Sequence, residues 1–319
     1  MSRIPDLVRD SELQTEFRGA ATIHSFLGID DTGARFWRKE QWEWDLSLGR
    51  GGFGNVNLQR CVVGSINREN GLRAVKVIEK SVGPSQSLNY NRELEAIAKF
   101  SHDRYRRWFV KSYGWFQDPH SIFMTMEYCQ YGDLQRFLRG QGRISTEEVQ
   151  QLAFQMAEGL DQMHQNDFAH RDLKPGNILI KSMPPDQKWW IVLADFGISK
   201  RADENNGAIS TIKGTSAFMA PELLGILEDQ KPRIMADFKA ADMWALGEML
   251  FLMLTGESTF QDPMDLMRYC FGQRVFPSHR LPSTVTDHGH EIVGGLMAIA
   301  PHSRFTTTQC IQHPWVASV

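Results

Sequence analysis

Apolar and polar positions alternate over several short segments in the first half of the chain, a pattern typical of β-strands. The segment Trp42–Leu48 alternates in this way and runs into a cluster of glycines. Similar segments follow at residues 55–63, 72–78, 110–116 and 122–128. A helical stripe interrupts the series within residues 87–100, and it is formed by Leu88, Leu94, Ile97 and Phe100. The pattern predicts a strand-rich region with one helix.

The spacing of apolar residues becomes mainly helical after Gly132. Helices are predicted at residues 133–139 and 146–165, and Ser145 with Glu148 matches a capping box before the second of them. Short strands are expected near residues 178–180 and 191–193, with helices and loops from Pro221 onward. A small strand-rich lobe followed by a larger helical lobe predicts a two-lobed α+β fold. Residues 1–41 are polar with little periodicity, so we interpret them as an N-terminal extension.

Composition narrows the possible classes of protein. Hydrophobic residues make up 42% and charged residues 23% of the 319 positions, as in ordinary globular proteins. With 35 basic and 38 acidic side chains the formal net charge is −3, so we expect no nucleic-acid partner. The chain shows no secretory leader pattern and no apolar run near the roughly 20 residues of a membrane span, so we expect no membrane association. The four cysteines lack zinc-site spacing, which predicts reduced thiols in a cytoplasmic or nuclear protein.

A glycine-rich segment at residues 49–56 has the spacing G-x-G-x-x-G-x-V. Glycines let a backbone approach phosphate groups closely and point its N–H groups at them. The same string also fits an ordinary tight hairpin, and the string by itself does not separate the two. A dinucleotide-binding loop needs a helix directly after it, whereas a strand follows here.

Lys76 lies inside the apolar strand predicted at residues 72–78. A lysine in that position either extends its ammonium group to solvent or meets an anion. Glu93, on the predicted helix at residues 87–100, is a candidate partner that would hold the ammonium group against the α- and β-phosphates of a nucleotide. The alternative is that Glu93 is a solvated helix charge.

The most specific motif is His-Arg-Asp-Leu-Lys-Pro-Gly-Asn at residues 170–177, which supplies a carboxylate base and an amide metal ligand from one loop. Asp-Phe-Gly at 195–197 offers a second carboxylate after a predicted strand, and Ala-Pro-Glu follows at 220–222. Mg²⁺ takes few protein oxygens, so Asn177 and Asp195 form a sufficient set of ligands. Accidental matches in separate loops are the alternative, against which five motifs in one order argue.

Together these motifs resemble the eukaryotic protein kinase superfamily over residues 42–319. Lys174, two residues after Asp172, is similar to the serine/threonine type, and residues 310–315 resemble calmodulin-dependent and checkpoint-type kinases. The resemblance implies transfer of the γ-phosphoryl of ATP, with Mg²⁺, to serine or threonine hydroxyls of protein substrates. A pseudokinase, which is a kinase-shaped binding scaffold, is the alternative.

The resemblance also divides the chain and assigns roles. It implies a small lobe at residues 42–128 and a hinge with the larger lobe at 129–319. Asp172 would take the proton of the acceptor hydroxyl, and Lys174 would stabilise the transferring phosphoryl group. The implied catalytic and metal-binding set is Asp172, Lys174, Lys76, Glu93, Asn177 and Asp195.

A nucleotide site is part of the same resemblance. Val56, Ala74 and Leu179 would sandwich the adenine, and Met126 would lie behind it as the gatekeeper. Glu127 and Cys129 are the implied hinge residues, and Asp133 is the implied acidic residue near the ribose and the substrate's P−3 side chain. The implied positions of the glycine-rich segment are Leu48, Gly49, Arg50, Gly51, Gly52, Phe53, Gly54 and Asn55.

Packing around the site generates further expectations. Asp242 would hold the backbone of the catalytic loop, and Glu222 would pair with Arg304. Ser112 stands where the family usually has a large apolar residue, which would leave a gap unless Tyr113 fills the space.

Thr211, four residues before Thr215, lies where many serine/threonine kinases carry an activating phosphothreonine. Its phosphate would pair with Arg171 and Lys200 and order the surrounding loop. Ser210 is the alternative site, and either an upstream kinase or the chain itself would add the phosphate.

Overall fold

The computed structural model describes residues 6–29, 32–51, 54–64, 71–80, 87–195, 216–227 and 237–318. The chain divides into two units. Unit 1 comprises Met1–Arg106 and Val110–Tyr128, and unit 2 comprises Arg107–Phe109 and Cys129–Val319.

Unit 1 is built on a seven-stranded antiparallel sheet with the neighbour order β1-β2-β3-β4-β5-β7-β6. Helices α1 (Asp6–Asp10) and α2 (Ser87–Phe100) accompany the sheet. The strands are β1 (Gln14–Arg18), β2 (Ala21–Ile29), β3 (Arg35–Gly51), β4 (Gly54–Val63), β5 (Leu72–Glu79), β6 (Ser112–Gln117) and β7 (Ser121–Met126). The strands and the helix predicted from Trp42 onward are confirmed in this unit.

Strands β1 and β2 and the first part of β3 come from residues that show little periodicity in the sequence. Most side chains of β1 and of the first part of β3 are exposed. Because neither face of these segments is largely buried, the sequence is not required to alternate there. The expected boundary at residue 42 falls inside β3, so the sheet continues into the residues interpreted as an extension.

A hydrophobic core of unit 1 is formed by Val8, Leu94, Trp115, Ile122 and Met124, all of which are buried. These residues come from α1, α2, β6 and β7. The core therefore joins both helices of this unit to the end of the sheet at which β7 and β6 lie.

Unit 2 is mainly helical, with a small antiparallel sheet of two strands. Its elements are α3 (Leu134–Gln141), α4 (Thr146–Gln165), β8 (Ile178–Ser182), β9 (Trp190–Leu193), α5 (Phe238–Thr255), α6 (Pro263–Cys270), α7 (Asp287–Leu296), α8 (Thr307–Gln312) and α9 (Pro314–Ala317). The predicted cap of α4 is confirmed, since the Ser145 hydroxyl accepts the N–H of Glu148 at 3.3 Å. Among the helices in the described ranges, none is long and apolar enough to cross a membrane.

The four cysteines lie within the described residues and are thiols, as predicted. Burial raises the pKa of the Cys310 thiol to about 12 and that of Cys270 to about 11. Both thiols therefore stay protonated at neutral pH, which makes them poor nucleophiles.

Helix α5 is buried over most of its length, and it carries Glu248, whose side chain is buried as well. The N–H of Thr259 donates to Oε1 of Glu248 at 2.9 Å. Burial raises the pKa of Glu248 from 4.5 to about 7, an effect larger than the opposing ones of Thr259 and Arg280. The folded state thus holds the proton more tightly than the unfolded state. The stability from the protonated side chain is fully present below pH 4.5 and is lost as the pH rises through about 7.

We predict that Glu248→Gln raises the free energy of unfolding at about pH 8 and changes it little at about pH 5. A glutamine amide oxygen still accepts the Thr259 N–H, but it carries no charge for burial to penalise. The gain is at most about 3 kcal/mol, which corresponds to the rise of the pKa from 4.5 to about 7. Urea unfolding at the two pH values measures it, and the exposed neighbour Glu257→Gln is the control. Equal stability of Glu248→Gln and the natural chain at the higher pH would contradict a buried, ionised Glu248.

Candidate active site

The glycine-rich segment forms the end of the β3–β4 hairpin in unit 1. Gly51 pairs with Gly54, and the two residues between them, Gly52 and Phe53, lie outside the described residues. Gly54 has φ of +133°, and a Cβ atom there would lie 1.9 Å from the carbonyl oxygen of Val77. Only glycine fits this position, so the packing of unit 1 by itself accounts for one glycine of the motif.

The other predicted positions of this segment lie along the same two strands. Gly49 pairs with Val56, and Arg50 pairs with Asn55. Leu48 lies at a shift of register directly before Gly49 and is exposed. The predicted contacts of these residues with ATP remain predictions.

Four predicted site residues share one face of the unit 1 sheet. Val56 lies opposite Lys76, and Ala74 lies opposite Met126. Because Ala74 and Lys76 are two residues apart on β5, all four side chains point to the same side. Lys76 is only 3% exposed. Its ammonium group is therefore buried rather than extended to solvent, and a buried cation needs acceptors.

Glu93, the predicted partner of Lys76, lies in α2 directly before the buried Leu94. The structure does not describe the side chain of Glu93, so the ion pair stays a prediction.

The predicted hinge residues fall at the ends of the two units. The N–H of Glu127 donates to the carbonyl oxygen of Lys111, and the N–H of Lys111 donates to Oε1 of Glu127, each at 2.9 Å. Cys129 is buried, and its carbonyl oxygen accepts the N–H of Gly132 at 3.0 Å. These hydrogen bonds hold the backbone of both residues, whose contact with adenine remains a prediction.

In unit 2, Asp133 and Leu179 are brought together by an isolated antiparallel bridge. Asp133 is the N-cap of α3, where its Oδ1 accepts the N–H of Arg136 at 2.7 Å. A helix N-terminus favours a carboxylate, so the cap accounts for an acidic residue here without a ligand.

Ser112, where a packing gap was expected, begins β6 and is held by hydrogen bonds. Its hydroxyl donates to the carbonyl oxygen of Thr125 at 3.1 Å. The register passes from the pair of Ser112 with Met126 to the pair of Gly114 with Thr125, so Tyr113 is the extra residue of a β-bulge.

The catalytic loop of unit 2 is fixed by one buried carboxylate. Asp242, on α5, accepts the N–H of His170 with Oδ2 and the N–H of Arg171 with Oδ1, each at 2.8 Å. The ring of His164 donates a third hydrogen bond to Oδ2 at 2.9 Å. The prediction for Asp242 is confirmed. Arg171 has φ of +66°, a strained conformation for a residue with a side chain, and these bonds hold it.

Next to this anchor the loop brings three predicted residues into contact. Nζ of Lys174 lies 2.7 Å from Oδ2 of Asp172, which is almost fully buried. Nδ2 of Asn177 donates to the carbonyl oxygen of Asp172 at 2.7 Å and to its Oδ2 at 3.2 Å. The carboxylate of Asp172 thus accepts from both neighbours and keeps one orientation.

The end of β9 is tied to the same loop. The N–H of Ala194 donates to the carbonyl oxygen of Asn177 at 2.9 Å, and the ring of His170 donates to the carbonyl oxygen of Ala194 at 3.1 Å. Asp195 follows directly, with φ of +59°. These bonds hold the backbone of Asp195 close to that of Asn177 in unit 2.

The donor set suits Mg²⁺. Nδ2 of Asn177 is committed to Asp172, so Oδ1 is the end of the amide that can ligate a cation. Asp195 is a half-buried residue that directly follows Ala194, whose N–H donates to the carbonyl oxygen of Asn177. Two oxygens from protein, with the remaining positions taken by water and phosphate oxygens, are typical of Mg²⁺ in phosphoryl-transfer sites.

The predicted pair of Glu222 and Arg304 is confirmed and is bidentate, with distances of 2.7 and 2.8 Å. The Arg304 side chain is fully buried. Its pair fixes the segment that carries Ala-Pro-Glu against the following helices of unit 2.

Of the predicted regulatory residues, Arg171 is described, and its guanidinium lies 4.4 Å from the centroid of the Phe238 ring. Lys200, Ser210 and Thr211 lie outside the described residues.

Sequence reasoning missed His164, which supports Asp242 from α4. His164 precedes the catalytic motif by six residues and belongs to no motif of its own. Its only signal is a histidine in the last turn of a predicted amphipathic helix, which is too common a pattern to assign a role.

The fold is that of a two-lobed protein kinase. Residues 42–316 match the family described as the protein kinase domain, and the chain belongs to that family.

Several known proteins are similar to the chain. Calcium/calmodulin-dependent protein kinase type 1 of Caenorhabditis briggsae is 28% identical over 88% of this chain and 73% of its own length. The serine/threonine-protein kinase RAD53 of Saccharomyces cerevisiae is 27% identical over 85% of this chain and 32% of its own length. A crystal structure of Rad53 1-466 in complex with AMP-PNP aligns with a TM-score of 0.66 and 25% identity, covering 86% of this chain and 65% of that one.

The predicted class of enzyme is confirmed by the family and these relatives: the chain is a serine/threonine protein kinase, and it uses ATP with Mg²⁺. Family membership also implies protein substrates. Nothing in the family match or among the relatives favours the pseudokinase alternative.

We predict that Asp242→Asn lowers kcat and destabilises the protein by about 1–3 kcal/mol. An asparagine has one acceptor oxygen, so its NH₂ group would face a backbone N–H of the catalytic loop and leave that donor unpaired. Turnover of a peptide substrate and thermal unfolding measure the two effects.

The control is Asp237→Asn, at the N-cap of the same helix, where asparagine caps as well as aspartate. Wild-type kcat in Asp242→Asn would mean that this carboxylate does not organise the loop.

Proposed function

We propose that Asp172 is the catalytic base of this kinase and that it acts on serine and threonine hydroxyls of protein substrates. The observation that carries the proposal is the contact of its buried carboxylate with Nζ of Lys174 at 2.7 Å and with Nδ2 of Asn177 at 3.2 Å. An oriented carboxylate can accept a hydrogen bond from an acceptor hydroxyl and take its proton as the oxygen attacks phosphorus.

Lys174 has the second role in the proposal. Its ammonium group lies beside the base and is partly exposed, so it can donate to a phosphoryl oxygen. Positive charge placed in advance where negative charge develops lowers the barrier without reorganisation during the reaction.

Two further pairs of residues bind the co-substrate in the proposal. Bound ATP with Mg²⁺ supplies the phosphoryl group, and the metal neutralises the developing charge. Asn177 and Asp195 hold the metal through side-chain oxygens. Lys76, whose ammonium group is buried, holds the α- and β-phosphates with the support of Glu93.

The proposal also covers the cellular location and the partners of the kinase, for which the support comes from the sequence alone. The formal net charge of −3 and the widely spaced cysteines support a cytoplasmic or nuclear protein that acts on proteins and not on nucleic acid. Asp133 would add a preference for arginine at the P−3 position of the substrate.

We predict that Asp172→Asn lowers kcat by about 10²- to 10⁴-fold with little change in ATP affinity, because asparagine cannot take the proton. Lys76→Met is expected to abolish activity and weaken ATP binding. Peptide phosphorylation and nucleotide titration measure the two effects.

The control for both variants is Asp186→Asn, in the exposed turn between β8 and β9. If Asp172→Asn lost ATP affinity and kept its turnover at saturation, the role given to Asp172 would be wrong. A natural chain that binds ATP and transfers nothing to any protein would be the pseudokinase.

We further propose that phosphorylation of Thr211 raises activity, with Ser210 as the alternative site. The support is Arg171, which adjoins Asp172 and keeps its guanidinium over the Phe238 ring. A phosphate brings about −1.5 to −2 charges and can form charge-assisted bonds with Arg171 and Lys200.

We therefore predict that Thr211→Ala lowers kcat and that Ser210→Ala does so only if it is the modified residue. Mass spectrometry of active enzyme identifies the site. The Asp172→Asn variant separates the two sources of the phosphate, because it cannot phosphorylate itself. A phosphate found on that inactive variant must therefore come from an upstream kinase. Full activity of the doubly substituted chain would refute the switch.

A further inference from the structure

Residues 6–29 precede the part of the chain that matches the protein kinase domain, yet they are integrated into unit 1. Within α1, Val8 is fully buried, in one cluster with Leu94 of α2 and Trp115 of β6. Its neighbour Leu7 is 49% exposed. Helix α1 thus turns one apolar side chain into the core and packs against α2.

The backbone after α1 is bonded to β6 through Trp115. The indole Nε1–H of Trp115 donates to the carbonyl oxygen of Val8 at 2.8 Å. The N–H of Trp115 donates to the carbonyl oxygen of Ser11 at 3.1 Å, and the N–H of Leu13 donates to the carbonyl oxygen of Trp115 at 2.7 Å. Strand β6 is the last in the sheet order, so residues 11–13 cover its open edge.

The sequence of β6 makes room for this contact. Gly114 has φ of +106°, and a Cβ atom there would lie 2.6 Å from the carbonyl oxygen of Ser11. Only glycine lets the two backbones approach this closely. The contact therefore depends on the sequence of β6 as well as on residues 11–13.

A second anchor ties the same segment to β5. Nη2 of Arg73 donates to Nε2 of His24 at 2.7 Å, so the proton of that ring lies on Nδ1, 2.9 Å from Oγ1 of Thr15. The Thr15 hydroxyl donates to the carbonyl oxygen of Leu13 at 3.0 Å. Arg73 and His24 are fully buried. This chain of hydrogen bonds fixes the segment to the strand that carries Lys76.

We propose that residues 6–29 are a positioning element of the active site, which holds α2 and β5 in the arrangement that catalysis needs. The inference rests on the proposed roles of Lys76 and Glu93. Leu94 directly follows Glu93 on α2, so a contact that fixes Leu94 restricts the rotation and translation of the helix segment that carries Glu93. Among the described elements, α2 packs chiefly against α1 and β6, both of which take part in this contact.

The test compares Val8→Ala with Leu7→Ala, a substitution of an exposed residue on the same helix. Trp115→Phe is the second variant, because it keeps a large ring and removes the Nε1 donor to Val8. For both Val8→Ala and Trp115→Phe we expect the KM for ATP to rise about 5- to 30-fold, with faster hydrogen exchange of residues 94–100. Leu7→Ala should match the natural chain in both measurements.

Hydrogen exchange of residues 237–318 in the same samples reports whether unit 2 stays folded, and we expect no change there. Wild-type kinetic constants in Val8→Ala and Trp115→Phe would overturn the positioning role, even if exchange in α2 became faster. Faster exchange throughout residues 237–318 would also overturn it, since the loss of activity would then reflect general unfolding. An active Lys76→Met would instead refute the proposed function and leave the exchange result for α2 standing.

Discussion

The carboxylate of Asp242 is the constraint on which the candidate active site depends. It is buried in unit 2 and accepts two backbone N–H groups of the catalytic loop and one ring N–H of His164. A buried carboxylate is tolerated only when such donors surround it, so the loop and the helix stabilise each other. The left-handed conformation of Arg171 follows from these bonds, and the orientation of Asp172 follows from that of the loop.

In unit 1 the corresponding constraint is the register of the sheet. The pairing of β4, β5 and β7 places Val56, Ala74, Lys76 and Met126 on one face, and a slip of one residue would turn each of them to the other face. The buried ammonium of Lys76 shows that this face does not only serve as an apolar core. Residues 6–29 constrain unit 1 further, since residues 11–13 hydrogen-bond to the edge strand β6 and α1 packs on α2.

Much of the fold was predictable because its signals are local. The strands from Trp42 onward and helices α2, α3 and α4 were predicted from apolar spacing and caps. Strand β1 was not, because an exposed antiparallel strand requires no alternation. Strand β2, whose residues 21–24 are all buried, was not predicted either. Ser112 is a different case: its hydroxyl bonds to the backbone of Thr125 and a β-bulge follows it, neither of which the spacing of apolar residues reveals.

The sequence by itself determined which side chains meet in the catalytic loop, because Asp172, Lys174 and Asn177 lie within six residues and the chain cannot separate them widely. The order of the motifs also determined the class of enzyme. Only the tertiary structure decided which distant residues meet, such as His164 of α4 with Asp242 and Val8 of α1 with Trp115. The physical reason is that such contacts join residues far apart in the chain, and a local pattern of polar and apolar positions does not encode which partner each side chain meets.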